Sequence, residues 1–256
     1  MPLTVVQFRC RTDNYGVLVH DDESGATASI DAPDADTIRS ELQRRDWRLD
    51  TILTTHHHGD HVAGNRALKE AFGCTIVGPA SEAAKIPGID RPVNEGAHLP
   101  LGGHGVLVLA TPGHTLGHVS YFLAAARAVF VGDTLFAMGC GRLFEGTAEV
   151  MWGSLSRLRG LPEGTQVYCG HDYAASNARF ALTIEPHNAA LAARAKNVAA
   201  SAARGGLTPP TTIGLERTTN PFVRADEPAV RAQLHMTSAA PHEVFAEIRR
   251  RKDAFG

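Results

Sequence analysis

Thr55-His56-His57-His58-Gly59-Asp60-His61 is the stretch on which the reading of this chain turns. Its histidines and aspartate offer nitrogen and oxygen ligands to a divalent metal. The preceding Leu49-Asp50-Thr51-Ile52-Leu53-Thr54 places apolar and β-branched residues between polar ends, the pattern of a short buried strand. After Val62 a helical pattern covers residues 65–72, and Gly73 follows as its C-cap. The motif is therefore expected on a tight loop at the carboxyl end of a strand, where open α/β sheets place their chemistry. In locally extended backbone His56 and His58 project to one side and His57 to the other. Asp60 and His61 approach from the next element, so one pair for each of two ions is the natural reading. A tag-like or merely solvated run does not suit an internal position directly behind a buried strand.

Three further strand ends deliver similar groups. Residues 106–110 read as a buried strand running into Thr111-Pro112-Gly113-His114-Thr115-Leu116-Gly117-His118. Strands over 119–123 and 128–131 follow, the second ending in Gly132-Asp133-Thr134. A carboxylate there is costly to desolvate unless a cation or donors meet it. Gln166-Val167-Tyr168-Cys169 then leads to Gly170-His171-Asp172. A single such event has a bland explanation, but four in succession point to a metal site.

Around these motifs the chain opens with a β-meander over residues 3–31, followed by an amphipathic helix over 36–45. Residues 74–79 form another strand. The segment 80–104, punctuated by Pro87, Pro92, Pro100 and several glycines, reads mostly as loop, with His98 and His104 at the surface. Beyond residue 174 the pattern turns helical, over 174–182, 188–203, 227–236 and 241–251, with 211–214 as loop. Pro228 and Pro241 fall where first-turn prolines are tolerated. Two domains are expected, 1–174 carrying the metal motifs and 175–256 helical. The basic run Arg249-Arg250-Arg251-Lys252 suits a helix C-terminus complementing its dipole.

Composition excludes several classes. Among 256 residues, 25 Lys+Arg balance 27 Asp+Glu, so no global charge favours nucleic acid or a membrane surface. Hydrophobic content of 43% with 20% charged residues is that of a soluble globular protein. Cys10, Cys74, Cys140 and Cys169 lack the spacing of a disulfide framework or a thiolate zinc site. Residues 1–30 carry no export signal pattern and no run approaches the ~18 apolar residues of a membrane span, so a cytoplasmic location is expected.

The segments THHHGDH, TPGHTLGH, GDTLF and CGHDY, in this order and spacing, resemble the metallo-β-lactamase superfamily. TDNY at 12–15, GCGRLFEGT at 139–147, NPFVR at 220–224 and RRRKDAF at 249–255 narrow the resemblance to the glyoxalase II, or hydroxyacylglutathione hydrolase, family. It spans nearly the whole chain. The resemblance implies an α/β fold, an αββα metallo-β-lactamase-type sandwich with a C-terminal helical domain. It implies two divalent ions: His56, His58 and His114 on the first, Asp60, His61 and His171 on the second, and Asp133 bridging them. Zinc is the expected metal, with iron or manganese compatible with the same nitrogen and oxygen donors. A hydroxide shared by the ions, held with Asp60 and Asp133, would attack the thioester carbonyl of S-D-lactoylglutathione, the step that completes methylglyoxal detoxification. Arg249 and Lys252 match positions holding the glycine carboxylate of glutathione, and Arg142 and Tyr173 match further contacts. Phe144 stands where some relatives have a Tyr.

Other residues keep alternatives open. His57 is read as an intervening residue, and His118 as a support for a ligand or simply packed under the loop. Asp31 either accepts a hydrogen bond from a ligand imidazole or caps a turn. Cys140 and Cys169 are read as structural. The expected enzyme is a monomer acting on a small-molecule thioester, without nucleic-acid or membrane partners. Against it stand a mononuclear-iron persulfide dioxygenase of the same fold and a non-catalytic, metal-loaded module binding thiol conjugates.

Overall fold

The computed structural model of the chain describes residues 3–255 and divides into two compact units. Met1, Pro2 and Gly256, at the outer ends of the two expected domains, lie outside the described residues. One unit comprises residues 1–110 and 117–132, the other 111–116 and 133–256.

The first unit opens with the expected meander, β1 (Leu3–Arg9), β2 (Tyr15–Asp21) and β3 (Thr27–Ile30), paired antiparallel. Helix α1 (Ala35–Arg45) then crosses over to β4 (Thr51–Leu53), which pairs parallel with β3. Asp34 starts α1 by accepting the Thr37 N–H at 2.9 Å, and Arg44 and Arg45 sit in the last turn, where cations offset the helix dipole. After the motif come the single-turn α2 (Gly59–Val62) and α3 (Asn65–Phe72), the latter stopped by Gly73 at φ 68°. β5 (Thr75–Pro79) and β6 (Arg91–Val93) complete a sheet of order β1-β2-β3-β4-β5-β6 whose last four strands are parallel. Leu18, Ile52 and Ile76 of this sheet bury against Ile38 and Leu42 of α1 and Leu68 of α3.

Four antiparallel strands make the unit's second sheet: β7 (His98–Leu101), β8 (His104–Ala110), β9 (Val119–Leu123) and β10 (Ala128–Gly132). It is tied to the end of β4 by Tyr121, fully buried, whose hydroxyl donates to the Thr54 carbonyl at 2.7 Å. The Val119 N–H adds a bond to the Thr55 carbonyl at 2.9 Å.

The expectation of loop over 80–104 needs correction. A 3-10 turn, Ala80–Lys85, is followed by β6 and β7. Their prolines, Pro92 and Pro100, lie on strands with a neighbour on one side only, where a missing N–H breaks no ladder. His98 is exposed as expected, whereas His104 is half-buried on β8 with its Nε2 3.9 Å from Asp21.

In the second unit β11 (Leu135–Phe136) and β12 (Gly139–Cys140) form a small hairpin, and β13 (Gln166–Cys169) pairs with β14 (Thr211–Thr212). Around them stand α4 (Ala148–Arg159), α5 (Ala174–Ile184), α6 (Ala189–Ala203), α7 (Ile213–Thr219), α8 (Pro228–Gln233) and α9 (Pro241–Asp253). α7 starts inside the segment expected to be loop, because the Thr212 hydroxyl caps it by accepting the Leu215 N–H at 3.2 Å. Phe180, Phe222 and Phe245 pack as a chain of rings with centroids 5.8 and 6.0 Å apart. Beside them Glu216, almost fully buried, is neutralised by Arg194 at 2.6 Å and also accepts the Met138 N–H and the Asn220 amide.

Replacing Tyr121 by Phe removes a buried hydroxyl and orphans the Thr54 carbonyl. The expected loss is about 1–3 kcal/mol of unfolding free energy, read as a lower urea midpoint with an unchanged slope. A variant as stable as the parent would show that this bond does not secure the second sheet.

Candidate metal centre

In the first unit the motif leaves β4 flanked by its parallel neighbours β3 and β5. Asp31 directly follows β3 and takes a left-handed φ of 53°, which turns its carboxylate toward the loop. There it accepts the Thr55 N–H at 2.7 Å, the Thr55 hydroxyl at 2.8 Å and His61 Nδ1 at 2.8 Å. Thr55 Oγ1 lies in turn 3.0 Å from His56 Nδ1. With protons on both Nδ1 atoms, His56 and His61 present bare Nε2 lone pairs, the form a metal requires. Asp31 therefore meets an imidazole of the motif, that of His61.

His56 Nε2 lies 3.1 Å from His58 Nδ1. Two nitrogens at ~2.0–2.1 Å from one tetrahedral ion stand ~3.3 Å apart, so this pair has the spacing of two ligands on one cation. Asp60 Oδ2 lies 3.7 Å from His61 Nε2 and accepts the Asn14 amide at 3.1 Å. Asn14, buried within the TDNY segment, is a contributor that sequence reasoning left without a role. The local spacing thus sets His56 beside His58 and Asp60 beside His61.

The other two histidines of the motifs, His57 and His118, have different neighbours. His57 turns away and puts its Nδ1 2.8 Å from the buried carboxylate of Glu82. His118 is buried and stacks on His56 at 4.9 Å between ring centroids. A Cβ on Gly132, which has φ 45°, would fall 2.6 Å from His118 Nε2 and 2.5 Å from Thr55 Oγ1, so β10 passes this support only because glycine stands there.

The second unit gathers His114, Asp133 and His171, all buried. Asp133 Oδ2 lies 3.4 Å from His114 Nε2 and 3.3 Å from His171 Nε2, one oxygen between two imidazoles. His114 Nδ1 donates to the Arg142 carbonyl at 2.9 Å, leaving its Nε2 to face Asp133. Gly141 permits this approach, since a Cβ there would sit 2.0 Å from the Asp133 carbonyl oxygen. The His171 ring stacks on Tyr173, 4.8 Å apart and nearly parallel. A carboxylate between two imidazoles, in a buried setting, is a ready place for cations.

On α9, Arg249 is buried, donating to the Cys140 carbonyl at 2.9 Å and pairing with Asp253 at 2.8 Å. Lys252 donates to the Ser176 hydroxyl at 3.0 Å. Burial, followed by the charges of Arg249, Arg179 and Arg142, lowers the Lys252 ammonium to about 8. Arg142 and Phe144 are exposed, the Phe144 ring standing edge-on to His114 at 5.2 Å.

Known proteins resemble the chain along nearly its full length. Residues 31–171 match the family described as metallo-beta-lactamase superfamily, and residues 172–255 match the hydroxyacylglutathione hydrolase C-terminus. A hydroxyacylglutathione hydrolase of Rhizobium meliloti (strain 1021) is 59% identical over 248 residues, covering 97% of this chain and 97% of that one. One from Brucella ovis is 57% identical over 253 residues, 99% of this chain and 98% of the relative. Among solved structures, ETHE1 from Myxococcus xanthus superposes with a TM-score of 0.66 at 26% identity and 100% coverage of both chains.

The cysteines stand outside this chemistry. Burial pushes the Cys10 and Cys169 thiols up to about 12, and those of Cys74 and Cys140 up to about 11. A thiolate nucleophile is thus absent near neutrality. Iodoacetamide at pH 8 should leave the folded chain unmodified over a period that fully labels the urea-unfolded chain. Rapid labelling of Cys140 or Cys169 with loss of activity would return a thiol to the mechanism.

Proposed function

We infer the reaction from the family to which this chain belongs, the hydroxyacylglutathione hydrolases of the metallo-beta-lactamase superfamily. The chain is an enzyme that hydrolyses glutathione thioesters, and the substrate we propose is S-D-lactoylglutathione, giving glutathione and D-lactate. The observation that carries this reading is the family match running through both the metal-motif region and the C-terminal region.

The site binds two metal ions, which we propose to be zinc, iron and manganese being compatible with its nitrogen and oxygen donors. His56, His58 and His114 would hold one ion, Asp60, His61 and His171 the other, and Asp133 both. The convergent lone pairs in each unit fit that assignment. Bound there, the ions would supply hydroxide from water at neutral pH and withdraw charge from the thioester carbonyl. The chain's own part is orientation: Asp31 and Thr55 fix His56 and His61, the Arg142 carbonyl fixes His114, and Asn14 steadies Asp60. Glutathione leaves as a thiolate whose conjugate thiol has a pKa of ~8.5, so no dedicated proton donor is needed.

Residues 175–256 are proposed to complete substrate binding, with 1–174 carrying the metal ligands. Arg249 and Lys252 would receive the glycine carboxylate of glutathione, with Arg142 and Tyr173 as further contacts. Arg249, held by Cys140 and Asp253, would add positive charge beside Lys252. A monomeric, cytoplasmic enzyme without nucleic-acid or membrane partners completes the proposal. Among the described residues no helix is long and apolar enough to cross a membrane.

Purified protein should turn over S-D-lactoylglutathione with about two metal ions per chain, lose activity on chelation and regain it on readdition. A fully loaded but inactive sample would sink the thioesterase reading. One iron per chain with oxygen consumption on glutathione persulfide would replace it by the dioxygenase, and thioester retained uncleaved would leave a binding module.

The Lys252 cation is present below about pH 8 and lost above it. Accordingly kcat/KM should decline above about pH 8 through KM. Lys252→Gln should lower kcat/KM ~10–100-fold at pH 7 with kcat nearly unchanged, and should flatten that decline. A variant with the parent's KM would remove Lys252 from the binding site.

A further inference from the structure

We propose that Glu82 is a positioning residue for the metal centre, clamping the loop that carries His56 and His58. The inference rests on the binuclear reading above and adds a residue that the motifs do not include. Strands β3, β4 and β5 are parallel neighbours, so their carboxyl ends lie side by side. Asp31 reaches the motif from the end of β3, and Glu82 reaches it from the 3-10 turn directly after β5. The motif leaves β4 between these two carboxylates.

Glu82 is 3% exposed, and each of its oxygens is engaged. Oε2 accepts the His57 peptide N–H and lies within hydrogen-bonding distance of His57 Nδ1, both at 2.8 Å, while Oε1 accepts the Gly117 N–H at 2.9 Å. His57 is the residue between His56 and His58. Anchoring both its peptide and its ring on the far side keeps its two neighbours facing the opposite way. Gly117 immediately precedes His118, whose ring stacks on His56. One side chain therefore sets the backbone between two ligands and the approach of the ring supporting one of them. A Cβ on Gly117 would lie 2.5 Å from Glu82 Cγ, so the contact is already at its closest.

Energetics favour positioning over plain stabilisation. A buried carboxylate carries a desolvation cost of several kcal/mol, and an apolar side chain would stabilise a loop as well. What an apolar side chain lacks is direction, and three donors held by two oxygens supply it. Groups that orient metal ligands from behind typically change metal affinity 10–100-fold when removed.

The test is metal binding by the full-length protein, stripped by chelation and titrated with Co(II) against a chromophoric chelator, with the visible absorption of the Co(II)-loaded form recorded. The parent should take up two equivalents. Glu82→Gln places an amide NH2 against one of the three N–H donors, and it should weaken one equivalent ~10–100-fold and alter its absorption band while sparing the other. His57→Ala, which keeps the carboxylate but removes the ring contact, should weaken the same equivalent by a smaller factor. Both equivalents within twofold of the parent in Glu82→Gln, with a lower melting temperature of the metal-free protein, would make Glu82 merely structural and overturn the inference alone. Should Glu82→Gln fail to fold, parent-like affinity and absorption in His57→Ala would overturn it. A parent chain binding fewer than two ions would overturn the binuclear reading and this inference together.

Discussion

The Asp31 carboxylate is the constraint from which the first half of the site follows. It is 4% exposed and would be intolerable there without donors, yet it receives a peptide N–H, a hydroxyl and an imidazole. Its position is a consequence of sheet topology. Parallel pairing sets Ile30 beside Leu53, so the residue after β3 falls level with the start of the motif. Because the acceptor is a carboxylate rather than a hydroxyl, it can only accept. The imidazole of His61 must therefore put its proton on Nδ1, and through Thr55 the same holds for His56. The tautomers of both rings are written into the order of strands.

Asp133 obeys the same rule in the second unit. It leaves the end of β10 immediately after Gly132 and is flanked by two imidazole Nε2 atoms. His114 again has its second nitrogen occupied, here by a backbone carbonyl. Chemistry gathers at strand ends because a strand fixes its last residue while the following turn frees the side chain. A pleated strand interior would have divided the same residues between two faces.

Much of this was legible in the chain itself. The strand-to-loop pattern located β4, α3 and its Gly73 stop, and the alternation through His56-His57-His58 anticipated His57 turning away. Less visible were features decided by tertiary position. Pro92 and Pro100 read as loop punctuation because sequence does not reveal which strands end up at a sheet edge. α7 began inside an expected loop because a Thr-Thr-Ile-Gly run resembles a turn until Thr212 is seen capping a helix. Glu82 lies in an alanine-rich segment with no motif, and its partners are 25 and 35 residues away in sequence. Asn14 could have been suspected from its place in TDNY, but its bond to Asp60 spans 46 residues.

The basic run near the end of the chain shows how helix geometry separates roles that composition merges. Arg250 and Arg251 are exposed and both pair with Glu247 at 2.8 Å, one turn earlier on the solvent face of α9. These two complement the helix terminus, and Glu247 is held down to about 2 by their hydrogen bonds. Arg249 and Lys252, three residues apart, share the opposite face and bury against Phe222 and Phe180 respectively, with cation-to-ring distances of 5.2 and 5.4 Å. Arg249 donates to the Cys140 carbonyl and pairs with Asp253, so its charge is held in place. Burial, and after it the charges of three guanidinium groups offset in part by Asp253, is why the Lys252 proton is held loosely. An anion arriving beside Lys252 would relieve the repulsion that lowers it. The same four-residue run thus yields two solvent-facing charges and two that pack against aromatic rings.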